Sequence, residues 1–338
     1  MTRTFWLTLV TVVLTASLAA DDGSARISGP VLGYVLDAES AAVRPIFGIP
    51  GAATLGPALD LGAEVHSAAA AQQAGYVLAV VGPDRRVVLY HTSAGGPSAV
   101  VVADAPPGPE RIVLSPNGSA AALLYREQIL VLTGLPEAAA VNSAINLTEL
   151  PAAFTAWALS DDGGAILVST RVGEGESVYL LDAAGNLRSL LRTGRTAAAA
   201  FFHGGSDVVV ADGLSNTVHW IRDAAGAATV VPLGSEQEGI LAPVALGVSR
   251  DNRRVFVANG GSGSVVALDL AGGAPGLVTC DCALTRFDQL QGNAVFRLTD
   301  PSGDPMWLLD GDAPEARVVF VPPEPAGAVL VPARGGRK

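Results

Sequence analysis

Cys280 and Cys282 are the only two cysteines of the chain, separated by Asp281 alone. In an extended strand their Cα atoms would lie ~6.5–7 Å apart, at the upper limit for a disulfide, so a bridge requires a bend. A local disulfide is the first expectation, free thiols the second and a metal-ligand pair the third. A zinc site needs about four ligands, and the sequence has no second cysteine–histidine cluster. A redox role for Cys280 and Cys282 would need a base beside the thiolate, which a bare C-x-C spacing does not bring.

The four histidines, His66, His91, His203 and His219, show neither H-E-x-x-H nor H-x-H spacing. His203 and His219 fall in one repeating unit and could approach each other. His203 reads as a solvent-facing turn residue, and His219, beside Trp220, as a packed strand residue. Asp300, Asp304, Asp310 and Asp312 bring four carboxylates into one short segment. Calcium takes such oxygens, but the spacing is not that of an EF-hand, and Asp and Gly are the usual turn formers. No catalytic residue and no cofactor is expected, with calcium or another metal left open. Gly173-Glu-Gly-Glu176 reads as a hairpin tip. Gly260-Gly-Ser-Gly263 lacks the lysine and helix N-terminus of a phosphate loop and reads as a hairpin turn. No G-x-S-x-G occurs, so a hydrolase elbow is unsupported.

The elements that would carry these residues repeat. Apolar, β-branched runs begin at 76, 121, 165, 207, 254 and 305, spaced by 42 to 51 residues. A second run follows each, such as Arg86 to Thr92 and Ser264 to Leu270. Turns such as Ser115-Pro-Asn-Gly118, Ser160-Asp-Asp-Gly163, His203-Gly-Gly-Ser206, Ser249-Arg-Asp-Asn252 and Asp300-Pro-Ser-Gly303 precede most first runs. A third run stands ahead of each turn, among them Arg111 to Leu114, Ala156 to Leu159, Ala199 to Phe202 and Val295 to Leu298. A fourth closes several units. Four short strands every ~44 residues is the period of a β-propeller blade, a meander that buries its faces only by stacking on its neighbours.

The expected fold is therefore all-β, a propeller of four-stranded antiparallel blades. Six units run from about Ala63 to Pro325, and the pair Val31 to Asp37 and Val43 to Ile49 precedes them. Seven blades are favoured, the first completed by C-terminal residues such as Gly327 to Pro332. A six-bladed ring with the N-terminal pair stitched onto the last blade is the alternative. Ser67 to Ala71 and Ala197 to Ala200 are assigned to innermost strands, where small side chains fit a narrow channel. Trp157, Trp220 and Trp307 are assigned to blade packing. Two departures from even spacing, Gly134 to Phe154 and Cys282 to Asn293, read as insertions that could carry function.

Val248-Ser-Arg-Asp-Asn-Arg-Arg-Val-Phe-Val-Ala-Asn-Gly-Gly-Ser-Gly-Ser-Val-Val-Ala-Leu-Asp-Leu270 resembles a repeat of the YVTN-type, WD40-like bacterial propellers. Ser160 to Asp182 and Leu114 to Leu132 are weaker copies. The resemblance implies the fold and leaves function open, since such propellers include binding scaffolds, envelope proteins and some enzymes. The Trp-Asp dipeptide and the buried polar tetrad of true WD40 blades are missing.

Composition and the N-terminus give an address. The 338 residues include 49% hydrophobic and 16% charged side chains, too apolar for a disordered chain. Lys and Arg number 21 against 32 Asp and Glu, a net charge of −11 that excludes an electrostatic footprint for nucleic acid or anionic lipid. Aromatic residues are only 5%, against a stacking platform for sugars or single strands. Arg3, an apolar stretch from Leu7 to Leu18, and small Ser17 and Ala19 make residues 1–19 a cleavable signal peptide. Residues 20–338 are expected to form one propeller domain without a transmembrane segment, monomeric and extracytoplasmic, either periplasmic or secreted.

Two functions follow as expectations. The first is a non-enzymatic protein-binding scaffold whose loops on one ring face engage an envelope or secreted protein partner. The second is a small-ligand- or metal-binding propeller enzyme, lactonase- or dehydrogenase-like, that uses the central channel. Apolar innermost runs weigh against the second.

Overall fold

The computed structural model describes residues 29–93, 96–148, 150, 154–301 and 304–323. The signal peptide at 1–19 and the closing strand expected at 327–332 lie outside these residues. The described chain forms seven antiparallel sheets arranged as the blades of a propeller. Blades two to seven have four strands each, and blade one has three, Val31–Asp37, Ala42–Ile49 and Ala52–Leu55.

Burial explains which runs stood out in the sequence. The second strand of a blade is covered on both faces by neighbouring blades and flanked by strands on both edges. Such strands read as unbroken apolar runs rather than alternating ones. Tyr76–Val81 in blade two and Val208–Asp212 in blade five are buried at every position. The outermost strand Gly96–Val101 is largely exposed and carries a much weaker signal.

Seven hydrophobic clusters fill the seams between successive blades. Val43, Val77 and Tyr90 pack between blades one and two. Phe256 and Phe296, with ring centroids 5.4 Å apart, meet between blades six and seven. Leu32, Ile46, Leu290, Leu308 and Val321 close the ring between blades seven and one. Each buried Leu, Ile, Val or Phe contributes roughly 1.5–3 kcal/mol by leaving water, so the seams hold the ring even though no strand is shared across the closing seam among the described residues.

Blades two to six follow the sequence reading, with boundaries displaced by a few residues at most. Ser67 to Ala71 and Ala197 to Ala200 lie in innermost strands, Val65–Ala71 and Thr196–Phe201. Val31–Asp37 is the first described strand of blade one and packs beside Val65–Ala71. Two expectations are corrected. Gly134 to Phe154 is no insertion, because Ala140–Asn146 within it is the outermost strand of blade three. Cys282 to Asn293 carries the innermost strand of blade seven, Asp288–Gln289, which shifts Val295–Arg297 and Met306–Asp310 to second and third place. That innermost strand is two residues long and polar, so it has no apolar periodicity to read.

Candidate ligand site in the central channel

The turns that lead from innermost to second strands share one ring face, and their chemistry is repetitive. In Ser115-Pro-Asn117 and Ser160-Asp-Asp162 the serine hydroxyl accepts from the backbone N–H five residues on, at 3.1 and 2.9 Å. It also donates to the carboxylate or amide oxygen two residues on, at 3.1 Å in the first and 2.6 Å in the second. Ser249 and Asp251 repeat the pattern. These bonds fix each turn locally and free its outer groups to reach the next blade.

Those groups form a belt that crosses every seam. Gln72 exchanges two hydrogen bonds with the Tyr34 backbone, at 2.7 and 2.8 Å, tying blade two to blade one. The Tyr76 hydroxyl donates to the Gly118 carbonyl at 2.7 Å, tying two to three. Asp161 ties three blades together, accepting from Asn117 N–H at 2.8 Å and from Gly204 N–H at 2.6 Å. Asn252 exchanges bonds with the His203 backbone at 2.9 and 2.8 Å. Asn293 accepts from Asp251 N–H at 2.9 Å, and Gln291 N–H donates to the Leu32 carbonyl at 2.8 Å. Turn side chains, the Tyr76 hydroxyl and the Gln291 N–H thus bond backbone groups of a neighbouring blade at every seam.

Inside the belt lies the central channel, with a cavity of about 790 Å³. Its wall is asymmetric. Blades two, four, five and six present mainly small or apolar residues, such as Ala68, Ala158, Ala200 and Val248. Blades three and seven present Glu110, Arg111, Arg286, Asp288, Arg297 and Asp300. Arg111 and Arg286 are equivalent by position. Each stands four residues before the residue whose N–H closes the inner turn, Ser115 onto Ala120 and Leu290 onto Val295. At that position blades two, five and six carry Ser67, Ala198 and Ala245.

Blade seven binds its own charges together. Asp288 and Arg297 face each other in register on adjacent strands. Buried Arg297 contacts Asp288 through Nη2 and Asp300 through Nη1, the latter at 3.2 Å. Arg286 reaches both oxygens of Asp300 through Nε, at 3.0 and 3.1 Å, and among the described residues neither of its terminal Nη groups has a hydrogen-bond partner. Arg111 has its pKa lowered, first by the surrounding wall and then by the Arg286 cation, with Asp288 opposing. It remains charged at neutral pH. Two guanidinium groups on different blades thus come near enough to repel each other, beside the carboxylates of Asp288 and Asp300. Trp157 lines the same channel, its Nε1 donating to Ser169 Oγ at 2.8 Å.

The other sequence candidates separate. Cys280 and Cys282 form a disulfide, their Cα atoms 5.1 Å apart, the bend that an extended chain lacks. Cys282 lies four residues ahead of Arg286, at the start of the segment that enters the channel. His203 lines the channel mouth, where burial lowers its pKa; it is no freely solvated turn residue. His219 sits on a third strand, its Nε2 3.1 Å from Thr217 Oγ1, with no bond to His203. His66 Nε2 lies 2.8 Å from the Gly82 carbonyl, and His91 lies in a hairpin opposite Tyr76. Asp310 pairs with Arg317 and Asp312 accepts from Asn293 and Ala294 N–H, so these acids do not converge with Asp300. Among the described residues no group of three or more His, Cys, Asp or Glu is placed to hold a metal. Of the tryptophans, Trp220 stacks on Phe202 and lies under Arg222, and Trp307 meets Phe320 edge-on.

Sequence reasoning missed the channel arginines. Arg111 was visible as a charge at the head of an innermost run, where other units have Ala or Ser. Arg286 was hidden in a segment without strand periodicity.

No protein-family model matches the chain, and no curated protein is similar to it in sequence. Solved structures do match. A functionally unknown protein from Desulfotomaculum acetoxidans aligns over 87% of this chain and 100% of its own, with a TM-score of 0.59 and 16% identity. A protein from Lactobacillus plantarum aligns over 86% of this chain and 98% of its own, with a TM-score of 0.52 and 15% identity. At such identities the likeness is one of fold. No helix among the described residues is long and apolar enough to cross a membrane.

Proposed function

We propose that the chain is an exported, non-catalytic binding propeller whose central channel takes a small organic anion. The observation that carries this is the open pair of Arg286 Nη groups on the arc shared with Arg111. Charge-assisted hydrogen bonds to carboxylate or phosphoryl oxygens are the strong ones, and a guanidinium presents them as a fork. Asp288 and Asp300 are held by arginines, which suits them to orienting those cations rather than to moving protons. Calorimetry with citrate, glucose 6-phosphate, glucose and spermidine tests the reading. Either anion should bind, and Arg286→Ala should weaken it by tenfold or more. Binding of glucose or spermidine alone, or of none of the four, would sink it.

A second reading, the protein-binding scaffold, is favoured by the outer wall. Leu277 and Phe320 stand 63% and 53% exposed on the outermost strands of blades six and seven. Capture of one stoichiometric protein from secreted or envelope fractions, lost in Leu277→Glu or Phe320→Glu, supports it. Capture that is indifferent to both changes, or no capture, counts against that wall.

A further inference from the structure

A second cavity lies away from the channel, between blades four and five on the face that carries the inner turns. Its volume is about 630 Å³. The turn sequence explains why it exists. Counted from the residue whose N–H closes the turn, blades three, four and six place Asn117-Gly118, Asp162-Gly163 and Asp251-Asn252 where blade five has Gly204-Gly205. Gly204 adopts a φ of +68°, and a Cβ there would meet nothing within 4 Å. A Cβ on Gly205 would meet nothing closer than 3.9 Å. Gly204 thus lacks the side chain that Asn117, Asp162 and Asp251 carry at the same turn position, and Gly205, at the place of Gly118 and Gly163, adds none, which leaves a hollow.

The walls are apolar and the rim is acidic. Leu180, Leu187, Phe201 and Ala165 line the cavity, with Asp161, Asp162 and Asp182 around it. Each carboxylate accepts from backbone N–H groups of its own or a neighbouring turn. Asp162 and Asp182 have lowered pKa values, Asp162 first through the Ser160 hydroxyl and Asp182 first through Asn186. Both therefore keep their charge at neutral pH. Arg188 spans the cleft, its Nη1 donating to the Gly226 carbonyl of blade five. Its Nη2 is buried and has no hydrogen-bond partner among the described residues. A buried donor left unpaired is costly, and in a native structure it points to an acceptor supplied from outside.

We infer that this cleft docks a basic peptide segment of a protein partner, one apolar side chain entering the cavity between flanking Lys or Arg residues. The apolar walls take the Leu- or Phe-sized anchor, the three carboxylates take the flanking cations, and Arg188 Nη2 donates to a backbone carbonyl of the peptide. Net charge agrees, since a chain at −11 attracts a cationic partner. A concave apolar pocket with few convergent polar groups is the usual form of such an anchor site. The inference rests on the scaffold reading and is independent of the channel.

The test uses fluorescein-labelled Gly-Lys-X-Lys-Gly amides, with X as Leu, Phe or Ala, and a Leu version with Glu replacing both lysines. Anisotropy should show the Leu or Phe peptide binding at least tenfold more tightly than the Ala and Glu versions, and more weakly as salt rises. Gly205→Leu, which fills the hollow, should weaken binding tenfold or more, and Arg188→Met severalfold. Circular dichroism and melting check that Gly205→Leu folds, and Ala225→Trp at the same cavity is the substitute if it does not. No binding at millimolar peptide, equal binding of the Glu version, or binding unchanged when the hollow is filled would overturn the site. A protein partner captured equally by the wild type and Gly205→Leu would preserve the scaffold reading and remove this cleft from it.

Discussion

In the channel, Arg286 and Arg297 meet Asp288 and Asp300 side chain to side chain. In the cleft between blades four and five, Asp161, Asp162 and Asp182 turn their oxygens toward backbone N–H groups, and Arg188 has no carboxylate partner. The residue types are the same and the consequences differ. Paired side chains fix one another, so the channel cluster is a rigid unit in which Arg286 alone points open donors at a ligand. Carboxylates held by turns keep their net charge, so the cleft presents an uncompensated negative rim. Charge in the first region positions, and charge in the second attracts.

The sharpest way to break that comparison is to remove one arginine from each region. Arg297 is buried and holds two carboxylates that are about half exposed, 50% and 45%. Arg297→Leu leaves both without it; water recovers part of the loss, so the expected destabilisation is about 1–3 kcal/mol instead of the 3–5 of a fully buried pair. Arg188→Leu removes one hydrogen bond and an unsatisfied donor, and stability should change by less than about 1 kcal/mol. Urea titration of both variants reads the difference. Equal losses would mean that the two arginines play the same structural part and that the distinction fails.

The belt supplies the next test, because Asp161 belongs both to it and to the cleft rim. Asp161→Ala removes the acceptor of Asn117 and Gly204 N–H and separates three blades on that face. Hydrogen bonds to a charged acceptor are worth about 1.5–3 kcal/mol each when buried, and these donors are exposed, so a total of about 1–2 kcal/mol is expected. Asp161→Asn keeps an acceptor and should recover most of the stability while losing rim charge. If Asn matched Ala in urea, the belt bond would not be what Asp161 provides.

How much of this was legible follows from what burial does to a strand. The second strands, buried on both faces, announced themselves as apolar runs, and their period gave the blades. Ser115, Ser160 and Ser249 with their Asn or Asp partners marked inner turns correctly, because that chemistry is local. Asp300-Pro-Ser-Gly303 has the same composition and lies instead between the second and third strands of blade seven. Turn residues report that the chain turns, not which strands it joins. The channel cluster was illegible for a related reason. Arg286 and Asp288 belong to a stretch whose strand is two residues long and polar, held by Arg297 of the next strand and the adjoining Leu298, so no apolar run marks it. The cleft arises where Gly204 replaces the Asn or Asp of the other turns, and a glycine in a turn looks ordinary until the neighbouring blade is placed beside it.

The smallest effect is expected from His203, the residue that joins the two regions. It lines the channel mouth and immediately precedes the two glycines of the cleft. Burial lowers its pKa below the ordinary 6.5, Asp161 opposes, Arg250 adds to the lowering, and bonds to Gln289 and Val248 oppose. The folded ring therefore favours the neutral ring nitrogen, and the unfolded chain takes up the proton first as pH falls. Stability is complete above about pH 6.5 and declines below it, until the folded histidine is protonated as well. His219 is lowered for the same first reason and carries the same sign. Asp37, Asp162, Asp182, Asp212 and Asp251, all lowered from 3.8, and Glu238, lowered from 4.5, act mainly at more acidic pH. Urea midpoints at pH 7.5 and pH 5 thus isolate the histidines, and His203→Gln should shrink the difference between them without abolishing it. A variant that kept the full difference would show that burial at the channel mouth does not set the protonation of His203.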